Sequence, residues 1–225
     1  MGTAIGTTLP LAVGVAISPL AIIAVILLLV TPRARTSGPA FLVGWLLGLA
    51  VVGAIVLVLV EPFGATSATT PATWASVLQL AVGVLLLLFA ITQWRGRPAG
   101  DQRRDTPKWM GAIDAFTAAR AFMLGVVFSA VKPKNLLLTI GAASLIAETG
   151  ISGAQEALAL AIFVIVGSVG IATPVVIYFA LGARADTVLE QMKAWMLLHN
   201  AVIMTTLCVV FGAVLIGDAI SGLSA

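Results

Sequence analysis

The segment Gly125-Val-Val-Phe-Ser-Ala-Val-Lys-Pro-Lys-Asn135 is the most informative part of the chain, because it sets two lysines and a proline inside an apolar run. An earlier segment, Gly14-Val-Ala-Ile-Ser-Pro19, is similar to it. In both, the proline lies 19 or 20 residues before a glycine, Gly38 or Gly153, that opens the next apolar run. This placement predicts that the two halves of the chain have the same arrangement of apolar segments.

The composition indicates an integral membrane protein. Of the 225 residues, 60% are hydrophobic and 9% are charged, and the mean hydropathy is +1.14. Soluble globular domains are about 45–50% apolar and about 25% charged. The single cysteine, Cys208, excludes an internal disulfide and a cysteine zinc site. The net charge of +3 is too small and too scattered to indicate a nucleic-acid-binding surface.

Six stretches are long and apolar enough to cross a bilayer, for which about 20 residues suffice. They are Thr3–Thr31, Pro39–Val60, Trp74–Trp94, Ala121–Ala147, Gly153–Leu181 and Trp195–Asp218. The runs are continuously apolar and lack the period-two alternation of a β-barrel, which predicts an all-α integral membrane protein with six transmembrane helices.

The basic residues predict the orientation of these spans. Loops one, three and five contain every Lys and Arg outside the spans: Arg33, Arg35, Arg95, Arg97, Arg103, Arg104, Lys108, Arg120, Arg184 and Lys193. Loops two and four and both tails contain none. The positive-inside rule therefore predicts a multi-pass plasma (inner) membrane protein with an N-out/C-out topology and cytoplasmic loops one, three and five.

Three spans in each half imply that the halves have opposite topology, as in inverted-repeat transporters. We expect a first three-helix repeat over 1–95, a cytoplasmic basic linker over 96–120 and a second three-helix repeat over 121–225. The alternative is that apolar helices rich in Gly, Ala and Val resemble one another without a common plan.

Pro19 and Pro133 predict a break near the middle of the first and fourth spans. Proline removes a backbone hydrogen bond inside a helix but is favoured at the first position of a new one, for which Ser18 is a suitable N-cap. Two half-helix N-termini at one depth form an anion site. The candidate substrate-binding residues are Ser18, Pro19, Lys132, Pro133, Lys134, Asn135 and Thr139. The alternative is a proline kink that neighbouring helices repair.

Lys132 and Lys134 are costly inside a span, at about 2.5–3.5 kcal/mol each on insertion scales. No span offers a carboxylate at their depth, since every Asp and Glu lies in a loop or near a span end. We therefore expect water, a neutral amine or an anionic substrate to compensate them. Alternatively, span four begins later and both lysines extend to the cytoplasmic interface.

Two further groups of residues are candidates for supporting functions. His199 and Asn200 could couple transport to protons, although a hydrogen-bonded packing role for the histidine is an alternative. Arg33, Arg35, Arg103 and Arg104 could bind anionic lipid headgroups or could act solely as topology determinants. We find no catalytic, nucleotide-binding or metal-binding motif, and we expect no cofactor and no enzymatic activity.

Several motifs resemble one family. Ser18-Pro19-Leu-Ala-Ile-Ile, Thr31-Pro32-Arg33-Ala34-Arg35, Gly38-Pro39 with Gly44-Trp45-Leu-Leu-Gly48, and Lys132-Pro133-Lys134-Asn135 are similar to the peptidoglycolipid-addressing proteins. That family includes the sulfolipid-addressing protein of mycobacteria and belongs to the LysE exporter superfamily. The resemblance implies a LysE-like fold and an actinobacterial inner-membrane protein that moves envelope glycolipids or helps to move them.

Residues and resemblance together favour a secondary transporter or flippase that exports an anionic cell-envelope glycolipid or lipid-linked glycan by alternating access. One alternative is a small-molecule exporter of the amino-acid type. Another is a non-transporting scaffold for lipid synthesis machinery, in which the basic linker would matter most. Expected partners are membrane lipids, the anionic lipid substrate and lipid synthesis enzymes, with a homodimer left open and no nucleic acid.

Overall fold

A computed structural model describes residues 1–64, 73–95 and 117–224. Within these ranges the chain is helical and contains no strand. The α-helices are α1 (Gly2–Ala16), α2 (Pro19–Leu29), α3 (Ala34–Gly64), α4 (Thr73–Arg95), α5 (Ala118–Val126), α6 (Pro133–Glu148), α7 (Gly153–Leu181) and α8 (Ala185–Ser224). A π-helical turn, Val127–Val131, follows α5, and a 3-10 turn, Gly182–Arg184, precedes α8.

The two predicted breaks are confirmed. Helices α1 and α2 meet at an angle of 52°, and the segment Ala118–Val131 meets α6 at 61°. Pro19 and Pro133 each begin the second helix of the pair, where the missing proline N–H breaks no intrahelical bond. Four continuous helices, α3, α4, α7 and α8, are long and apolar enough to cross a membrane, and each bent pair passes the same test. The total of up to six spans agrees with the sequence.

Two predicted spans are shorter than the helices that contain them. Helix α3 begins at Ala34 instead of Pro39, and α8 begins at Ala185, ten residues before the predicted start at Trp195. At 1.5 Å per residue, the 40 residues of α8 extend for about 60 Å, roughly twice the thickness of a hydrocarbon core. Hydropathy marks the part of a helix that lies in lipid, whereas polar helix-forming residues continue the same helix into water.

The two second half-helices form the centre of the bundle. Nine of the eleven residues of α2 are buried, and ten of the sixteen residues of α6 are buried. In contrast, only a third of the most apolar 18-residue stretch of α3, α4 and α8 is buried, and many of their large apolar side chains face outward. The half-helix that follows each break is therefore buried, whereas Ile17, Val131 and Pro133 at the breaks are exposed.

Glycines allow the surrounding helices to approach closely. A Cβ atom at Gly44 of α3 would collide with the Phe122 carbonyl oxygen of α5, and one at Gly125 of α5 would collide with the Phe41 carbonyl oxygen of α3. Helices α4 and α8 also meet at a glycine pair. A Cβ atom at Gly83 would lie 2.9 Å from the Gly212 carbonyl oxygen, and one at Gly212 would lie 3.0 Å from the Gly83 carbonyl oxygen.

Candidate functional site

The two helix breaks lie against each other, because α6 packs on α1. Lys134, in the first turn of α6, has no exposed surface. Its Nζ donates hydrogen bonds to the carbonyl oxygens of Gly14 (2.6 Å) and Ile17 (2.8 Å) at the end of α1. The last carbonyls of a helix lack intrahelical donors and carry a partial negative charge, so they are suitable partners for an ammonium group.

This arrangement corrects the expectation that water, a neutral amine or an anionic substrate compensates Lys134. The partner is the carbonyl end of α1, which the first break exposes. Two of the three ammonium protons are committed to it. We conclude that Lys134 joins the two breaks and stabilises the bundle.

Asn135 also links the two breaks. Its Nδ2 donates to the Phe128 carbonyl oxygen at 2.8 Å and to the Ser18 hydroxyl oxygen at 3.4 Å. Ser18 was expected to cap α2, but its side chain makes no capping hydrogen bond to that helix. The Oδ1 atom of Asn135 is buried and has no hydrogen-bond partner among the described residues. Asn135 therefore keeps a free acceptor at the junction.

Thr139 lies one turn further along α6 and is fully buried. Its hydroxyl donates to the carbonyl oxygen of Asn135 at 2.8 Å. This bond stays within the helix, so the hydroxyl proton is not directed at a ligand.

Lys132 stands at the break itself, in an extended conformation between the π-helical turn and α6. Its Nζ is buried and has no hydrogen-bond partner in the part of the chain that the structure describes. The ammonium lies 5.3 Å from the centre of the Phe128 ring, which provides a cation–π contact. Such a contact replaces only part of the lost hydration, so Lys132 Nζ keeps hydrogen-bond donors that no described residue accepts.

The electrostatics of the junction favour an anion. The positive N-terminal ends of α2 and α6 begin here, and the negative end of α1 already binds Lys134. Within the described residues, no salt bridge involves either lysine, and the ion pair found there is Lys193–Glu190 at the surface of α8. An anionic group beside Lys132 would gain charge-assisted hydrogen bonds in a weakly screened environment.

The predicted coupling residues do not join this site. His199 is exposed; its Nδ1 lies 2.8 Å from the Trp195 carbonyl oxygen, and its ring stacks on the Trp195 indole at 4.7 Å. Asn200 is buried, with an unpartnered Oδ1. Cys208, which is within electrostatic range of both lysines, lies nine residues from His199, or about 13 Å along α8. This placement favours the packing interpretation of the histidine.

Two of the four predicted headgroup residues lie at the end of the bundle where α2 and α7 finish. Arg33 and Arg35 are exposed there. Arg35 lines a cavity of about 590 Å³ together with Tyr178 and Asp186. The other two predicted residues, Arg103 and Arg104, lie outside the described part of the chain, as does most of the predicted linker.

Sequence reasoning missed several buried polar groups, among them Trp45 and Gln79. Trp45 is fully buried and its Nε1 has no hydrogen-bond partner within the described ranges. Gln79 of α4 donates from Nε2 to Oε1 of Glu148 at 2.7 Å, at the far end of α6. An amide inside an apolar span was the available signal for Gln79, whereas the sequence grouped Trp45 with tryptophans at span ends, which usually anchor a helix at the membrane interface.

Comparison with known proteins identifies the family. The family model described as "Sap, sulfolipid-1-addressing protein" matches residues 8–221. No curated protein and no solved structure matches the chain. The resemblance seen in the sequence motifs is confirmed at this level, while membership of the wider LysE superfamily stays a prediction. Because the match covers nearly the whole chain, this membrane protein belongs to the sulfolipid-1-addressing (Sap) family.

Proposed function

We propose that this protein is a transporter or flippase that carries an anionic cell-envelope glycolipid, such as a sulfated one, across the plasma membrane. The buried, unpartnered ammonium of Lys132 at the junction of the two breaks is the observation that carries the proposal. A cation in such a place requires an opposite charge, and a sulfate or phosphate group would supply it. The free Oδ1 of Asn135 could accept a hydroxyl of the glycan.

An inverted repeat of 1–95 and 121–225 is supported by reciprocal packing. Helix α3 packs on α5 as α7 packs on α1, and α4 packs on α6 as α8 packs on α2. The close contact between α4 and α8 is also reciprocal, because Gly83 and Gly212 each approach the carbonyl oxygen of the other. Two such halves rocking against each other would expose the junction alternately to each side of the membrane, which is the alternating-access mechanism we propose.

A lipid cargo is favoured over a free amino acid by an apolar groove on the outer surface of α5. This shallow groove of about 400 Å³ is lined by Met123, Leu124 and Val127 and has Arg120 at one end. This combination of an apolar wall and a guanidinium suits an acyl chain below an anionic headgroup. A small-molecule exporter would require a compact enclosed site instead.

A non-transporting scaffold is the alternative from another class. It would place the activity in the basic linker 96–120 and would make the junction dispensable. Substitutions at Lys132 therefore separate the two hypotheses.

The test is movement of labelled lipid in proteoliposomes. The cargoes are a fluorescent sulfated glycolipid, its desulfated analogue and radiolabelled amino acids. We expect the native protein to move the sulfated lipid and Lys132→Met to lose this activity. The matched control Lys193→Met, at a surface lysine paired with Glu190, should retain it. Equal lipid movement by native protein and Lys132→Met would refute the assigned site, and movement of amino acids alone would establish the small-molecule alternative.

A further inference from the structure

A second polar site lies at the opposite end of α6 from the junction. Glu148, the last residue of α6, is half-buried, and Gln79 of α4 is 1% exposed. The 2.7 Å hydrogen bond from Gln79 Nε2 to Glu148 Oε1 joins the two helices. A half-buried carboxylate at the end of an apolar helix is costly, which makes Glu148 a candidate functional group.

Ser76 provides an independent observation at this site. Its side chain has no exposed surface, and its Oγ has no hydrogen-bond partner in the described part of the chain. Ser76 and Gln79 are consecutive members of the buried stripe of α4, one turn apart, so both project toward α6 and α8. A buried hydroxyl without a partner among the described residues therefore lies one turn of α4 from Gln79.

Apart from the amino group of Met1, the titratable groups at this end of the bundle are acidic. Helix α6 packs against α1, α3, α4, α7 and α8. At this end they contribute these titratable groups: the amino group of Met1 on α1, Glu61 on α3 (whose side chain is outside the described part), Glu156 on α7 and Asp218 on α8. Helix α4 contributes no charged side chain here, and Asp218 repels the Glu148 carboxylate electrostatically. No Lys or Arg of the described residues lies at this end.

A proton fits this site better than a metal ion. A sodium or calcium ion would require several oxygen ligands around the carboxylate. Gln79 instead directs an N–H group at Glu148, which would repel a metal cation. Protonation would remove the repulsion with Asp218, and the second carboxyl oxygen could still accept the hydrogen bond from Gln79.

Helix α6 connects this site to the junction. It begins with Pro133, Lys134 and Asn135 and ends with Glu148, so its 16 residues carry both sites over about 24 Å. A buried helix of this length moves as a rigid element, and a change in its packing at one end displaces the other.

We propose that Glu148, held by Gln79 and close to Asp218, is a proton-binding site that couples glycolipid export to the proton gradient through α6. The coupling rests on the proposed function, whereas proton binding does not. Solvent protons enter from the end that carries Glu148 and Asp218, which the basic-residue pattern predicts to be outside, and leave on the cytoplasmic side as the cargo moves outward.

Proton binding is tested directly by infrared difference spectroscopy during a pH titration in lipid nanodiscs. We expect a protonated-carboxyl band that Glu148→Gln removes and that the control Glu190→Gln, at an exposed carboxylate in the Lys193 ion pair, retains. The amide that Glu148→Gln introduces can still accept the hydrogen bond from Gln79, so the fold should be preserved. A band that survives Glu148→Gln, or the absence of any such band in native protein, would overturn the proposal.

Coupling is tested in proteoliposomes with and without an imposed pH gradient. An acidic compartment on the Glu148 side should accelerate movement of the sulfated glycolipid by native protein and by Glu190→Gln, and should have no effect on Glu148→Gln. Equal rates of lipid movement by native protein with and without the pH gradient would overturn the coupling while leaving the proposed function intact. A native protein that moves no lipid would refute the proposed function, and the infrared titration would still decide whether Glu148 binds the proton.

Discussion

Lys132 and Lys134 lie two residues apart but have different surroundings. Lys134 is bonded to carbonyl oxygens of α1, whereas Lys132 has a ring face and no hydrogen bond within the described residues. The sequence predicted that both lysines lie inside an interrupted span, because the proline and the apolar flanks are local signals. It could not separate their roles, since the partner carbonyls of Lys134 are more than 110 residues away in the chain.

Replacing each lysine by methionine should separate stability from function. Lys134→Met leaves the Gly14 and Ile17 carbonyl oxygens buried without their donor, so we expect a loss of about 3 kcal/mol in the free energy of unfolding. Lys132→Met removes a buried unpartnered charge and should leave stability unchanged or raise it. Thermal unfolding of both variants in the same detergent checks this. A larger loss for Lys132→Met than for Lys134→Met would reverse our assignment.

The helix breaks were predictable from single residues, whereas the π-helical turn and the start of α8 were not. Pro19 and Pro133 correctly predicted both breaks, because proline acts through its own backbone. The π-helical turn Val127–Val131 before the second break was not predicted, since no residue type specifies it. The start of α8 at Ala185 was missed because apolarity, which defined the spans, ends before the helix does.

Close helix packing predicts a contrast between two glycine substitutions. Gly125→Ala places a methyl group against the Phe41 carbonyl oxygen, and we expect it to lower the free energy of unfolding by about 1–3 kcal/mol through backbone displacement. Gly217→Ala, in α8, meets nothing within 4 Å and should raise it by about 0.5–1 kcal/mol through helix propensity. Equal stabilities of the two variants in denaturant titrations would contradict the contact between α3 and α5.

The whole molecule places its two second half-helices at the centre and four long helices around them. Pattern reasoning predicted six candidate spans, which is the upper count that the structure allows, and it predicted both helix breaks. It did not predict that α2 and α6 are the central helices, because an apolar face toward lipid and one toward protein have the same composition. The reciprocal packing of the halves also depends on contacts between segments that are distant in the chain.

The predicted orientation can be checked by labelling introduced cysteines. Thr36→Cys, at the end that carries Arg33 and Arg35, should react with an impermeant maleimide only after the membrane is opened, and Ala154→Cys should react in intact cells. Both native side chains are exposed, and the single native cysteine, Cys208, is buried, so background labelling should be low. The reverse pattern would show that both termini face the cytoplasm.

The role of Lys132 as an anion-binding group is best examined by equilibrium binding in lipid nanodiscs. The comparison is between a sulfated glycolipid and its desulfated analogue, for native protein and Lys132→Met. A charge-assisted hydrogen bond to a buried ammonium contributes about 1.5–3 kcal/mol, so native protein should prefer the sulfated lipid by about 10- to 100-fold. We predict that Lys132→Met loses this preference while binding the desulfated lipid normally. An equal preference for the sulfated lipid in both proteins would show that the anion binds elsewhere.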